Sequence, residues 1–171
     1  MNELLIAGVG NVLRGDDGFG PAVIDALERG GAGENGIRIA DVGIGGIALV
    51  HELLDGFHAL IVVDCVDRGA APGTLFVLEV HVPDVDAIPS EERLALATDV
   101  HRLGPDRALL VARAAGVLPS QVWLVGCQPS QIDELSMELS APARDAVPHA
   151  VQAIRGLITS LSARGAPNAG C

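Results

Sequence analysis

Apolar positions along the 171 residues fall into short unbroken runs and into stripes spaced three and four apart. The runs "ELLIAGV" (3–9), "IRIADV" (37–42), "HALIVVDCV" (58–66), "LFVLEVHV" (75–82) and "QVWLVGC" (121–127) predict five β-strands. The third is the most apolar and rich in β-branched residues, as expected of a central strand covered on both faces. Between the runs, Val23, Ile24 and Leu27 mark a helix starting near Gly20, with Pro21 in its first turn. Leu49, Leu53 and Leu54 mark an inward-facing stripe on a second helix over 46–55. A polar, proline-containing loop to about 97 and a short turn around 98–104 precede a third helix over 105–115. A long last helix is predicted over 142–162, with Pro142 at its start and Pro148 inside it as a kink.

Strands alternating with helices predict an α/β fold: a single three-layer αβα domain around a twisted, mostly parallel sheet of about five strands. The domain is expected to span 1–163, leaving 164–171 as a flexible tail. Ligands of such sheets bind beyond the carboxyl ends of the strands. That rim can be read directly: the first strand runs into Gly10–Asp17, the second ends at Asp41, the third at Asp64 and Asp67, and the fifth at Cys127.

Composition narrows the chemistry. Net charge is −11 and every one of the eleven basic residues is Arg. The negative charge disfavours nucleic-acid binding. The absence of Lys removes a Walker loop, a Schiff-base lysine and a lysine general base. Leu13 stands where a dinucleotide fingerprint after "GVG" needs its third glycine, so no nucleotide cofactor is expected. No apolar run approaches the roughly 20 residues of a membrane span, and no basic segment followed by an apolar one opens the chain. A cytoplasmic monomer without membrane attachment is the expectation. Three widely spaced cysteines form neither a disulfide framework nor a metal knuckle, and no G-x-S-x-G is present. Cys65 and Cys127 read as small hydrophobes of buried strands.

Two adjacent acids, Asp16 and Asp17, stand in the glycine-rich loop "GVGNVLRGDDGFG" (8–20). One fits a helix cap; the second asks for a cation. Asp64 leaves the most apolar strand, where a carboxylate is costly unless paired or bound to metal. His101, in "ATDVHRLG", precedes a helix in a region able to fold over the rim. Two carboxylates and one imidazole suit a hard-to-borderline divalent cation.

Together these segments resemble the nickel–iron hydrogenase maturation endopeptidases. The opening block is similar to the family's G-x-G-N, acidic pair and G-x-G; "DVGIGGIAL" (41–49) is similar to its aspartate-glycine segment. "VVDCVDRGAAPGT" (62–74), "HRLGPDRALLVARAAG" (101–116), "VWLVGCQPSQI" (122–132) and "LSAPARDAVPHAVQAI" (139–154) follow in the family's order, about 150 residues in all. Cys65 replaces a commoner alanine, Ile44 a commoner threonine, and Pro105 interrupts the segment after the histidine. The resemblance implies an aspartyl-type endopeptidase that trims a C-terminal extension from the hydrogenase large-subunit precursor after nickel insertion. Its metal ligands fall on Asp17, Asp64 and His101, and the nickel is supplied by the precursor. Asp16 orients the loop or caps the helix. Asp16 and Asp41 are the candidates for a base. Two other readings stay open: a metal-dependent hydrolase acting on another substrate, and a non-catalytic nickel-sensing, chaperone-like module.

Overall fold

The computed structural model describes residues 2–33, 36–44, 46–89, 105–130, 132 and 135–165. Its strands are β1 (Asn2–Val9), β2 (Ile37–Gly43), β3 (Phe57–Cys65), β4 (Leu75–Glu79) and β5 (Gln121–Cys127). The helices are α1 (Phe19–Arg29), α2 (Gly46–Leu53), α3 (Pro105–Ala114) and α4 (Ala141–Gly165). One sheet contains all five strands in the order β2-β1-β3-β5-β4. The first three pairings are parallel, and β4 runs antiparallel to β5 at the edge.

Alternation along the strands sorts the core into two layers. Leu4 and Ile6 of β1 and Ile61 and Val63 of β3 pack with Phe19, Val23 and Leu27 of α1 and with Ala150 and Ile154 of α4. Their sequence neighbours Leu5, Ala7, Leu60 and Val62 pack on the other face with Leu49 and Leu53 of α2 and Ala108 and Ala112 of α3. The predicted three-layer architecture is therefore the one observed, and β3 is central and buried from Ala59 to Asp64.

Two local expectations are corrected. Leu54 does not face in: α2 stops at Leu53, and Leu54 is 60% exposed in the turn that follows. Its amide bonds the His51 carbonyl, and Gly56, with φ +77°, reverses the chain into β3. β4 ends at Glu79 rather than at 82, opposite Trp123 near the start of its partner β5. As expected, Pro148 lies inside α4 and Pro105 stands at the start of α3. The expected turn at 98–104 and the tail beyond 165 lie outside the described residues.

Strand order creates the crevice that matters. From β1 the chain moves to β2 on one side, then returns across β1 to β3 on the other. The carboxyl ends of β1 and β3 therefore send their loops in opposite directions, which opens a ligand-binding cleft between them. Asp17 follows β1 and Asp64 ends β3.

Candidate active site

The glycine-rich loop is built by close packing. At Gly20 a Cβ would lie 2.2 Å from the Val9 carbonyl oxygen and 2.5 Å from that of Val63. Only glycine lets the start of α1 rest directly on the carboxyl ends of β1 and β3. Gly10, with φ +140°, brings the loop against the Asp17 carbonyl, where a Cβ would be 1.8 Å away. The two acids between these contacts lie in a 3₁₀ turn, Gly15–Gly18.

They have different surroundings. Asp16 is 1% exposed, and its carboxylate accepts from the Ser130 amide (2.7 Å), the Ser140 amide (2.7 Å) and the Ser140 hydroxyl (2.8 Å). It binds the rim loop to the segments after β5 and before α4. Main-chain bonds reinforce the tie: Gly15 donates to the Ser136 carbonyl at 2.8 Å, and Ser136 donates to that of Leu13 at 3.1 Å. Asp17 is half-buried and accepts one bond, from the Asn11 amide at 3.1 Å. Asn11 in turn holds the Leu13 amide at 2.9 Å.

Asp64 is 9% exposed and accepts from the Cys65 amide at 2.7 Å. Burial pushes its carboxyl up to about 7; the amide bond opposes that, while the negative charges of Asp17 and Asp106 add to it. Among the described residues no basic side chain pairs with Asp64. Thus Asp17 and Asp64 come together electrostatically across the crevice, with Asp106 in the first turn of α3 adding a third charge. A buried carboxyl facing two further negative charges, with no counter-ion among the described residues, is an arrangement a divalent cation would relieve. Among the described residues no group of three His, Cys, Asp or Glu forms a metal cluster. His101, the expected third ligand, lies outside the described residues.

Asp41 is exposed and accepts from the Gly43 amide at 2.9 Å. It pairs with Gly8, which on its other side pairs with Val63, so Asp41 stands roughly 10 Å from the strand of Asp64. Alternation sets Asp41 with Ile37 and Ile39 on the α1–α4 face, and Asp64 with Leu60 and Val62 on the opposite one. The structure does not bring these two acids together.

The thiols at the rim are protonated. Burial pushes Cys65 up to about 12, with Asp64 adding to it, and pushes Cys127 up to about 11. Gln128 escaped the sequence reading although "QP" follows a strand. It is buried, its side-chain oxygen accepts from the Arg68 amide (2.8 Å) and Ala70 amide (3.2 Å), and its amide nitrogen donates to Asp67 at 2.8 Å. The signal was a polar residue leaving a buried strand beside the turn-rich "DRGAAPGT".

The sequence profile described as hydrogenase maturation protease, HycI, matches residues 21–156. The chain belongs to the hydrogenase maturation protease family. The match includes Asp41, Asp64 and His101 and begins beyond Asp16 and Asp17. The protease is 32% identical over 150 residues to the hydrogenase expression/formation protein HupD of Rhizobium leguminosarum bv. viciae, covering 88% of this chain and 71% of that protein. It is 35% identical over 142 residues to HupM of Azotobacter chroococcum mcd 1, covering 83% and 65%. The chain thus spans 71% and 65% of the length of these two curated relatives.

Among solved structures, it is similar to the hydrogenase 2 maturation peptidase from Thaumarchaeota archaeon SCGC_AB-539-E09. That similarity has 31% identity and a TM-score of 0.67, over 91% of this chain and 97% of that one. The maturating endopeptidase HybD from E. coli shares the fold at 24% identity, with a TM-score of 0.71 over 92% and 93%. The family is one of peptide hydrolases.

Proposed function

We propose that the protease removes the C-terminal extension of a nickel–iron hydrogenase large-subunit precursor, and that it recognises the nickel already held by that precursor. Family membership supports the first half. The observation that carries the second is Asp64: a buried carboxyl at the end of the central strand, beside Asp17, with no cationic partner among the described residues. In this reading Asp17, Asp64 and His101 contact the substrate's nickel. Bound there, nickel can polarise a scissile carbonyl or activate water. The chain's own part is to hold two carboxylates at a crevice and to keep Asp64 out of bulk solvent until the metal arrives. Asp16, with both oxygens engaged, is a brace for the loop that carries Asp17. Asp41 keeps one carboxylate oxygen off the Gly43 amide and is the remaining candidate for a base, although it stands on the opposite face of the sheet from Asp64. The protease acts in the cytoplasm as a monomer; no described helix is long and apolar enough to cross a membrane.

Intact-mass analysis of a nickel-loaded precursor incubated with the protein tests this directly. The expected result is loss of a C-terminal peptide, absent with nickel-free precursor. Equal trimming of both forms overturns nickel recognition. A stable complex with no mass change favours the chaperone-like reading.

A further inference from the structure

Eight large apolar side chains stand out as exposed among the described residues, and six of them lie at one rim, five on loops and Ile47 in the first turn of α2. Val12 and Leu13 follow β1, Ile44 and Ile47 follow β2, and Leu135 and Met137 precede α4. Exposure reaches 69% at Ile44, 78% at Met137 and 89% at Leu135. The loops are joined by main-chain hydrogen bonds. Gly10 donates to Gly43 at 3.0 Å, Ser136 to Leu13 at 3.1 Å, and Gly15 to Ser136 at 2.8 Å. The register of β1 on β2, with Val9 opposite Gly43, makes the first two loops leave the sheet side by side.

Single exposed apolar residues are ordinary; six gathered at one edge are not. The two outside the group, Leu54 and Val77, sit beyond α2 and on β4. The rim is also continuous with the candidate site. Asn11, whose amide holds Asp17, is followed directly by Val12 and Leu13. A net charge of −11 opposes adhesion to an anionic lipid surface. An apolar surface continuous with the candidate active site of a peptide hydrolase instead fits the polypeptide on which that site acts.

We infer that this rim is where the precursor protein docks: the apolar side chains supply contact area, and the carboxylates fix the position by reading the metal. This rests on the function proposed above and names the surface that function uses. The two contributions separate kinetically. Apolar docking remote from the reacting bond governs binding, so its loss raises KM more than it lowers kcat.

The test is the double variant Leu135→Glu/Met137→Glu, with Val12→Glu/Leu13→Glu as a second, independent pair. Both sites are exposed, so circular dichroism and Tm should match wild type. Processing of the nickel-loaded precursor should show KM raised about tenfold or more with kcat retained, and calorimetry should show the same loss in affinity. Unchanged KM and affinity in both variants would overturn the docking surface while leaving the proteolytic reading intact. If wild type binds the precursor without cutting it, the proteolytic reading fails; the docking surface then stands or falls on whether the variants lose that affinity. A wild-type dimer in light scattering that the variants turn into monomer, with KM unchanged, would make the rim a self-association face and overturn the proposal.

Discussion

The Asp16 carboxylate accepts from three donors on two distant segments, whereas among the described residues its neighbour Asp17 accepts from the Asn11 amide alone. Asp16→Ala leaves two main-chain amides and a hydroxyl without their acceptor in a buried place. It should cost roughly 2–4 kcal/mol of stability in urea denaturation. Asp17→Ala should stay within about 1 kcal/mol of wild type and yet lose precursor processing. Asp64 makes a prediction in pH. Its carboxyl sits at about 7 in the folded protein against an ordinary 3.8. Because the folded value is the higher one, the stability this group contributes is complete below 3.8 and is lost as pH rises through about 7. Asp64→Asn carries no such charge. Without nickel it should therefore match wild type near pH 4 and exceed it at pH 8, by on the order of 2 kcal/mol, while processing disappears. Denaturation at the two pH values checks the sign. Cys65 and Cys127, held up at about 12 and about 11, should resist iodoacetamide at pH 8 in the folded protein.

At the scale of elements, the site depends on how α1 is seated. Its first turn rests on the Val9 and Val63 carbonyls through Gly20, and this contact fixes where the preceding 3₁₀ turn can lie. Both obstructing atoms at Gly20 belong to the main chain of sheet strands, so neither can swing aside. Gly20→Ala should push α1 off the sheet and destabilise by at least about 3 kcal/mol, read from the denaturation midpoint. The glycines of "GVGNVLRGDDGFG" thus serve a helix lying on a strand edge; their spacing, which fails the dinucleotide pattern, follows from that packing.

The whole molecule works by bringing together loops from separate strands. Asp17 and Asp64 are 47 positions apart in the chain and meet because β1 and β3 are adjacent in the order β2-β1-β3-β5-β4. Two carboxylates, with no thiolate beside them available as a ligand, hold a borderline cation weakly. The purified protein should therefore retain well under one equivalent of nickel after dialysis against a mild chelator, by elemental analysis, and bind it only together with the precursor.

What could be read from the sequence was local in origin. The burial of β3 and the stripes of α1 and α2 follow from apolar periodicity, because a strand or helix sorts its own side chains by face, and the start of α4 was marked by Pro142. The rim acids were legible too, since the residue after a parallel strand lies at its carboxyl end whatever the strand's neighbours. Tertiary structure decided the rest. Periodicity carries no label for a strand's partner, so the order of strands, the antiparallel β4 and the opposite faces of Asp41 and Asp64 came only from the assembled sheet. Leu54 continued an apolar stripe, but the chain turned first. The roles of Asp16 and Gln128 rest on partners 124 and 60 residues away, and such contacts exist only once separate loops have been packed against one another.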